Sequence, residues 1–385
     1  MKVAFLSNYF NHHQSAFSDA MYRLCGGNYT FIETEPMTSE RIKMGWKQDS
    51  LPPYVKKTYS SKEEAEVCQS IINEADVVIF GSAPKRLLRN RLKNGRCIFR
   101  YSERIYRNLY GYCHIPLHFF TLRIPLNSHP GQYLLCASAY TAADFAITNS
   151  LVGKTFKWGY FPKFKSLDVD PLFARRKENN KPVLLWVGRF IAWKHPDLAI
   201  LLAEKLRAVG YDFQLQIIGT GPMESQLREL IRSKNLEDCV RMLGAMKPEA
   251  VREHMEAADI FLFTSDFNEG WGAVLNESMN SACAVVASHA IGSVPFLIEN
   301  GQNGLIYRNG DFDSLFFAVK SLMDSPSLRE SLGRSAYKTI TENWNADIAA
   351  ERFLCLAKAA LSDGDMDVFD SGICSRADIL SNSWF

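Results

Sequence analysis

Short apolar runs rich in β-branched and aromatic residues recur along this chain, and most are followed by a turn and a segment of helical character. They occupy 3–6, Tyr29–Glu33, 75–81, 96–101, 133–138, 157–161, Val183–Val187 and 258–265. Strands that alternate with helices form βαβ units around a parallel sheet, and runs as continuously apolar as 258–265 suit strands covered on both faces. The fold class is therefore α/β. A length of 385 residues suits about two such domains. The polar run 175–182, with a strand directly after it, is the expected linker. The expected division is a first domain over 1–175 and a second over 176–345, then a helix over 346–363. The tail 364–385 lacks periodicity and is expected to be loosely ordered.

Hydrophobic residues at 47% and charged residues at 22% describe an ordinary globular chain. The nine cysteines are scattered and form no Cys-x-x-Cys pair, which suits reduced thiols used as small core residues. Residues 1–7 suit a first strand rather than a signal peptide, and no apolar run approaches the ~20 residues of a membrane span. A cytoplasmic protein is expected.

A net charge of +2 hides an asymmetry: residues 1–165 carry 22 Lys+Arg against 12 Asp+Glu, and the remainder 22 against 30. The positive charge concentrates over 85–107, where nine basic residues face Glu103 alone, with Tyr101, Tyr106, Tyr110, Tyr112, Phe119 and Phe120 within or just beyond. Such a stretch is either a set of solvated helix faces or a seat on an anionic membrane surface. No nucleic-acid module accompanies it, so nucleic acid is not an expected partner.

Two strand-to-helix loops carry the chemistry. In the first, Glu269 follows the strand 258–265, Gly270 and Gly272 flank Trp271, and Glu277 lies in the next helix. Ligands of open parallel sheets bind at strand carboxyl ends, where glycines admit backbone amides and a helix start offers unpaired N–H groups. Acceptor-only carboxylates suit vicinal hydroxyls, so a sugar and a ribose fit the two acids and a phosphate fits the amides between. Two solvated acids are the plain alternative. In the second loop Arg189 and Lys194 follow Val183–Val187 with no acid among residues 182–196. A forked guanidinium and a compact ammonium suit a diphosphate.

The set Val187-Gly188-Arg189 with Lys194, 217–222 with Gly219, 240–244, Ala258-Asp259, the Glu269/Glu277 pair and 299–307 resembles the retaining glycosyltransferases of the GT-B fold, specifically glycosyltransferase family 4. The resemblance covers about 165 residues in the family's order. It implies two Rossmann-like parallel-sheet domains facing an interdomain cleft, with the C-terminal helix crossing back onto the first. Arg189 and Lys194 are implied to hold the donor diphosphate and Glu269 the donor sugar, with the backbone of Gly270, Trp271 and Gly272 helping. Glu277 is implied to take the ribose, the amides near Val274 and Leu275 the distal phosphate, and Met246 to lie along the base. The implied function is transfer of a sugar from a UDP- or GDP-linked donor to a saccharide or polyisoprenyl-linked acceptor with retention of configuration. Assembly of bacterial surface polysaccharide is the implied setting, peripheral to the inner face of the plasma membrane. A non-catalytic sugar-nucleotide-binding or assembly partner of the same fold is the alternative.

The first domain departs from the family pattern, in which many members carry Gly-Gly after the first strand. Here 7–14 contains His12 and His13, which either contact substrate or cap and pack. Glu103 and Arg104, after 96–101, are either cleft residues or an ion pair. Asp168/Asp170 and Asp311/Asp313 imitate a metal motif but are read as turns, so no metal and no cofactor are expected.

Overall fold

The computed structural model describes residues 1–39, 42, 50–362 and 364–385. It divides into two compact units: Met1–Lys163 with Trp344–Asn382, and Phe164–Asn343 with Ser383–Phe385.

Among the described residues the first unit has seven strands: β1 (Val3–Ser7), β2 (Tyr29–Glu33), β3 (Val55–Lys57), β4 (Val77–Phe80), β5 (Ile98–Ser102), β6 (Gln132–Cys136) and β7 (Thr155–Lys157). They pair in parallel in the order β3-β2-β1-β4-β5-β6-β7. β1 and β4 are buried along their whole length, as a sheet covered on both faces requires. The helix Ala346–Leu361 packs on the helix His12–Leu24, and its Phe353 ring lies 5.2 Å from Phe99 and 5.9 Å from Trp158. Arg23 and Asp347 join the two helices at their exposed rim, 2.6 Å apart.

The second unit repeats the design with β8 (Val183–Val187), β9 (Gln214–Ile218), β10 (Val240–Gly244), β11 (Ile260–Phe263), β12 (Ala284–Ser288) and β13 (Leu305–Tyr307). Their order, β10-β9-β8-β11-β12-β13, is the doubly wound 3-2-1-4-5-6 arrangement. Strand order reverses between β8 and β11, and that switch point is where such sheets bind ligands.

Two expected boundaries need correction. The division falls at 163/164 rather than 175/176, because the helix Val169–Lys177 is anchored in the second unit. Its Leu172 and Phe173 pack on Ala282, and the buried Arg176 guanidinium donates to the carbonyls of Met255, Glu256, Ser281 and Ala282. The tail is not loose either. Residues 374–377 run antiparallel along β7, with Lys157 N–H donating to Ser375 O, Cys374 N–H to Lys157 O and Ala377 N–H to Thr155 O. That pairing satisfies the open edge of the sheet. In the second unit the Trp384 indole donates to His289 O.

Candidate active site

The loops leaving β8, β9 and β10 are joined by backbone bonds beyond the strand ends: Gly188 N–H donates to Ile218 O, Phe190 N–H to Thr220 O and Gly219 N–H to Gly244 O. Gly219 has φ +145°, and a Cβ there would stand 1.8 Å from Gly188 O, so this junction accepts only glycine. A Cβ on Gly272, φ +82°, would meet the Phe263 ring at 2.4 Å.

Across the switch point the β8 loop is tied to the β11 loop. Thr264 Oγ1 donates to Lys194 O at 2.7 Å and His195 O at 2.9 Å and accepts from the Trp186 indole at 2.8 Å; Asp266 N–H donates to Trp193 O. This lacing places Lys194 Nζ 2.6 Å from Glu269 Oε2, which also accepts from Ser265 Oγ at 2.9 Å. The ammonium lies 4.8 Å from the Trp193 ring centre as well, and Glu269 is 8% exposed. An ammonium and a carboxylate meeting here offer a donor to an anion and an acceptor to hydroxyls at one point. Sequence reasoning missed Thr264, whose signal was a hydroxyl closing the wholly apolar run of β11.

Arg189 is exposed in the same loop. His195 has left-handed backbone, φ 48°, and is the N-cap residue of the helix Pro196–Ala208. Its Nε2 stands 3.6 Å from Asp266 Oδ2, and the pairing with that carboxylate raises the imidazole pKa above its usual value against the effect of burial. Burial pushes the Asp266 carboxyl up, but the bonds from His195 and Asn268 together hold it below the usual carboxylate range.

Gly270 is buried beside Glu269, and Trp271 is wholly buried with its indole donating to Asn276 Oδ1 at 2.8 Å. The ring thus fastens its loop to the helix Val274–Asn280, which leaves Trp271 no exposed ring face to offer a ligand. Val274 begins that helix partly buried and Leu275 is buried. Glu277 is raised above the usual carboxylate range by burial, opposed by the nearby Arg252 charge. Arg252 donates to Asn280, whose amide brackets the Lys165 backbone. Met246 is partly buried, two residues past β10. Asp168 and Asp311 are N-caps of the helices Val169–Lys177 and Phe312–Asp324, while Asp170 and Asp313 pair with Arg334 and Lys205.

The first unit has its own cleft of about 610 Å³ at the carboxyl ends of β1, β4 and β5. His12 and His13 belong not to a loop but to the first turn of His12–Leu24, because Asn11 caps that helix by accepting from His13 N–H at 2.9 Å. The two imidazoles lie 3.9 Å apart, and His13, which lines the cleft, stacks on Tyr160. Glu103 and Arg104 do not pair with each other. Glu103 accepts from Tyr160 Oη at 2.6 Å and binds Arg107, whereas Arg104 is buried against Asp144 at 3.5 Å and over the Tyr140 ring. The basic run 85–107 is likewise not one surface: Arg91 is wholly buried and donates to the carbonyls of Ile72, Ala75, Asp76 and Cys97.

Comparison with known proteins gives this geometry a class. The fold is that of the GT-B glycosyltransferases. The structure of Anabaena Alr3699/HepE in complex with UDP superposes with a TM-score of 0.67 at 16% identity, covering 94% of this chain and 100% of the other. The lipopolysaccharide outer core galactosyltransferase WaaB superposes with a TM-score of 0.66 at 16% identity, covering 94% and 99%. Residues 171–339 match the family model described as Glycosyl transferases group 1. It is 31% identical over 178 residues to an alpha-D-kanosaminyltransferase of Streptomyces kanamyceticus, covering 45% of this chain and 46% of that protein. It is 34% identical over 137 residues to the amylovoran biosynthesis glycosyltransferase AmsK of Erwinia amylovora, covering 34% and 33%. The chain spans about half the length or less of these curated relatives.

Proposed function

We propose that this chain is a metal-independent glycosyltransferase that moves a hexose from a nucleoside diphosphate, UDP in the first instance, to a saccharide or lipid-linked acceptor with retention of configuration. The observation that carries this reading is the meeting of Lys194 and Glu269 at the switch point of a 3-2-1-4-5-6 sheet. Lys194 and Arg189 bind the diphosphate and stabilise the charge that grows on it as the C1–O bond breaks. Glu269 holds hydroxyls of the sugar, Glu277 the ribose, and Met246 borders the base. The C1–O bond to the acceptor forms on the face the diphosphate leaves, and the acceptor's proton passes to the departing phosphate oxygen. The likeness to a structure holding UDP, and to a relative named for amylovoran biosynthesis, supports the donor class and the setting.

The test is a thermal-shift panel of UDP-, GDP- and ADP-sugars, because the true donor stabilises by mass action. UDP-sugars are expected to stabilise the wild type and to lose their effect in Lys194→Ala. No stabilisation by any nucleotide sugar defeats the reading. Turnover surviving EDTA and an α-anomeric product from an α-linked donor check the metal and stereochemical parts.

Membrane attachment belongs to the same proposal. Tyr110, Leu117, Phe120 and Ile124 are exposed along one stretch of the first unit, and Arg86 and Arg89 are exposed in the same unit. No helix among the described residues is long and apolar enough to cross a membrane. A cytoplasmic protein seated on the inner leaflet is expected to sediment with anionic liposomes at low salt, and equal binding to neutral vesicles rejects the seat.

A further inference from the structure

The cleft of the first unit holds more positive charge than it neutralises. Lys85, Arg100, Arg104 and Arg107 line it against the single acid Glu103. Two of these cations are matched: Arg107 by Glu103, and Arg104 by the buried Asp144. Lys85 and Arg100 are not. Among the described residues no carboxylate oxygen stands within 4.0 Å of either. Arg100 projects from β5 with its guanidinium 5.8 Å from the Phe80 ring centre, and its Nε is buried without a hydrogen-bond partner. Lys85 reaches only Thr121 O, at 3.4 Å.

Arg91, seven residues before β5 begins, shows what a merely structural arginine looks like in this unit. Its guanidinium donates to four backbone carbonyls. Arg100 has no such set, and burial alone pushes it down to about 10; Lys85 is lowered first by burial and then by the Arg100 charge. Two like charges held together in a cleft without a counter-charge are a standing electrostatic strain that an anion relieves. Around them Ser7, Asn8, Ser82 and His13 add hydrogen-bonding groups suited to the oxygens of a phosphate.

We propose that Lys85 and Arg100 form an anion subsite in the first unit that takes a phosphate or diphosphate group of the acceptor. This rests on the reading of the first unit as the acceptor side of a glycosyltransferase. The anion has two possible sources, a soluble sugar phosphate or a lipid-linked diphosphate. Thr121, which Lys85 contacts, stands next to the exposed Phe120 and near the exposed Ile124, so the subsite opens beside apolar surface where a hydrocarbon chain could lie.

The experiment is isothermal titration of the full chain, with saturating UDP present, using inorganic pyrophosphate and decyl diphosphate as probes. Pyrophosphate is expected to bind the wild type at least tenfold more tightly than Arg100→Gln or Lys85→Ala, with the exposed Arg86→Ala unchanged. Lys85 is exposed, so its variant reads the site even if Arg100→Gln folds poorly. Decyl diphosphate binding tenfold more tightly than pyrophosphate, with the gain lost in Phe120→Ser, upholds the site and assigns a lipid-linked source; equal binding upholds it with a soluble one. Pyrophosphate binding that is absent, or is the same in wild type and both variants, overturns the proposal. UDP affinity, measured on the same proteins, is expected not to change. Its absence in the wild type defeats the donor reading separately, since dependence on Arg100 and Lys85 identifies this subsite by itself.

Discussion

Replacing Glu269 by Gln separates a phosphate-binding Lys194 from one that merely pairs with a carboxylate. The Lys194 ammonium is held 2.6 Å from Glu269 Oε2, with both side chains mostly buried. A diphosphate drawn to Lys194 shares it with that carboxylate. Anion and carboxylate on opposite sides of one ammonium stand roughly 6–8 Å apart, where unit charges repel by about 0.5–2.8 kcal/mol between water-like and protein-like screening. Glutamine keeps the shape and the acceptor for Ser265 but removes that repulsion. Glu269→Gln is therefore expected to bind UDP roughly twofold to a hundredfold more tightly, since each ~1.4 kcal/mol is a factor of ten. Sugar transfer is expected to fall in the same variant. Lys194→Met is expected to weaken UDP by about 1.5–3 kcal/mol, the size of a hydrogen bond to a charged group. Titration calorimetry with UDP reads both. UDP binding that weakens in Glu269→Gln refutes the reasoning, because it means the carboxylate helps the phosphate rather than competing with it.

Three further outcomes follow from the geometry. Gly219→Ala is expected to destabilise by roughly 3 kcal/mol or more, since its Cβ would collide with Gly188 O in a backbone conformation alanine avoids; a denaturation midpoint matching wild type contradicts this. Arg176→Met is expected to cost roughly 3–5 kcal/mol by leaving the carbonyls of Met255, Glu256, Ser281 and Ala282 without its donors, read by urea unfolding. The His195–Asp266 pair makes stability depend on pH. The histidine's contribution is complete below the unfolded imidazole pKa and fades as pH rises through its raised folded value; the aspartate's fades as pH falls through its lowered one. Melting temperatures from pH 5 to 9 are expected to lose part of their alkaline decline in His195→Gln, and an unchanged profile counts against the pair.

How much of this was legible in the sequence depends on where each residue's partners lie. The strands of the second unit were readable because β8 and β11 are unbroken apolar runs, and loops at their ends were the natural home for Arg189, Lys194 and Glu269. The ion pair itself was not readable, since it depends on Thr264 tying together residues 70 positions apart. β3 escaped notice because it is three partly buried residues. The start of the helix at His12 was in principle visible, as Asn11 is a good cap. The basic run 85–107 read as a single feature because charge counts carry no direction. Folding turns Arg91 into a carbonyl clamp, Arg104 into half of a buried pair and Arg100 toward a cleft.

The first unit is assembled from two segments far apart in sequence, 1–163 and 344–382. Its sheet is laid down by residue 163, yet the helix carrying Phe353 onto Phe99 and Trp158, and the segment that closes the rim of β7, begin only after residue 343. During synthesis the stretch 164–343 emerges before residue 344, so the second unit has every strand of its own sheet before the first unit is complete. Until residues 344–382 have been synthesised, the first unit holds an uncovered aromatic face and an open edge.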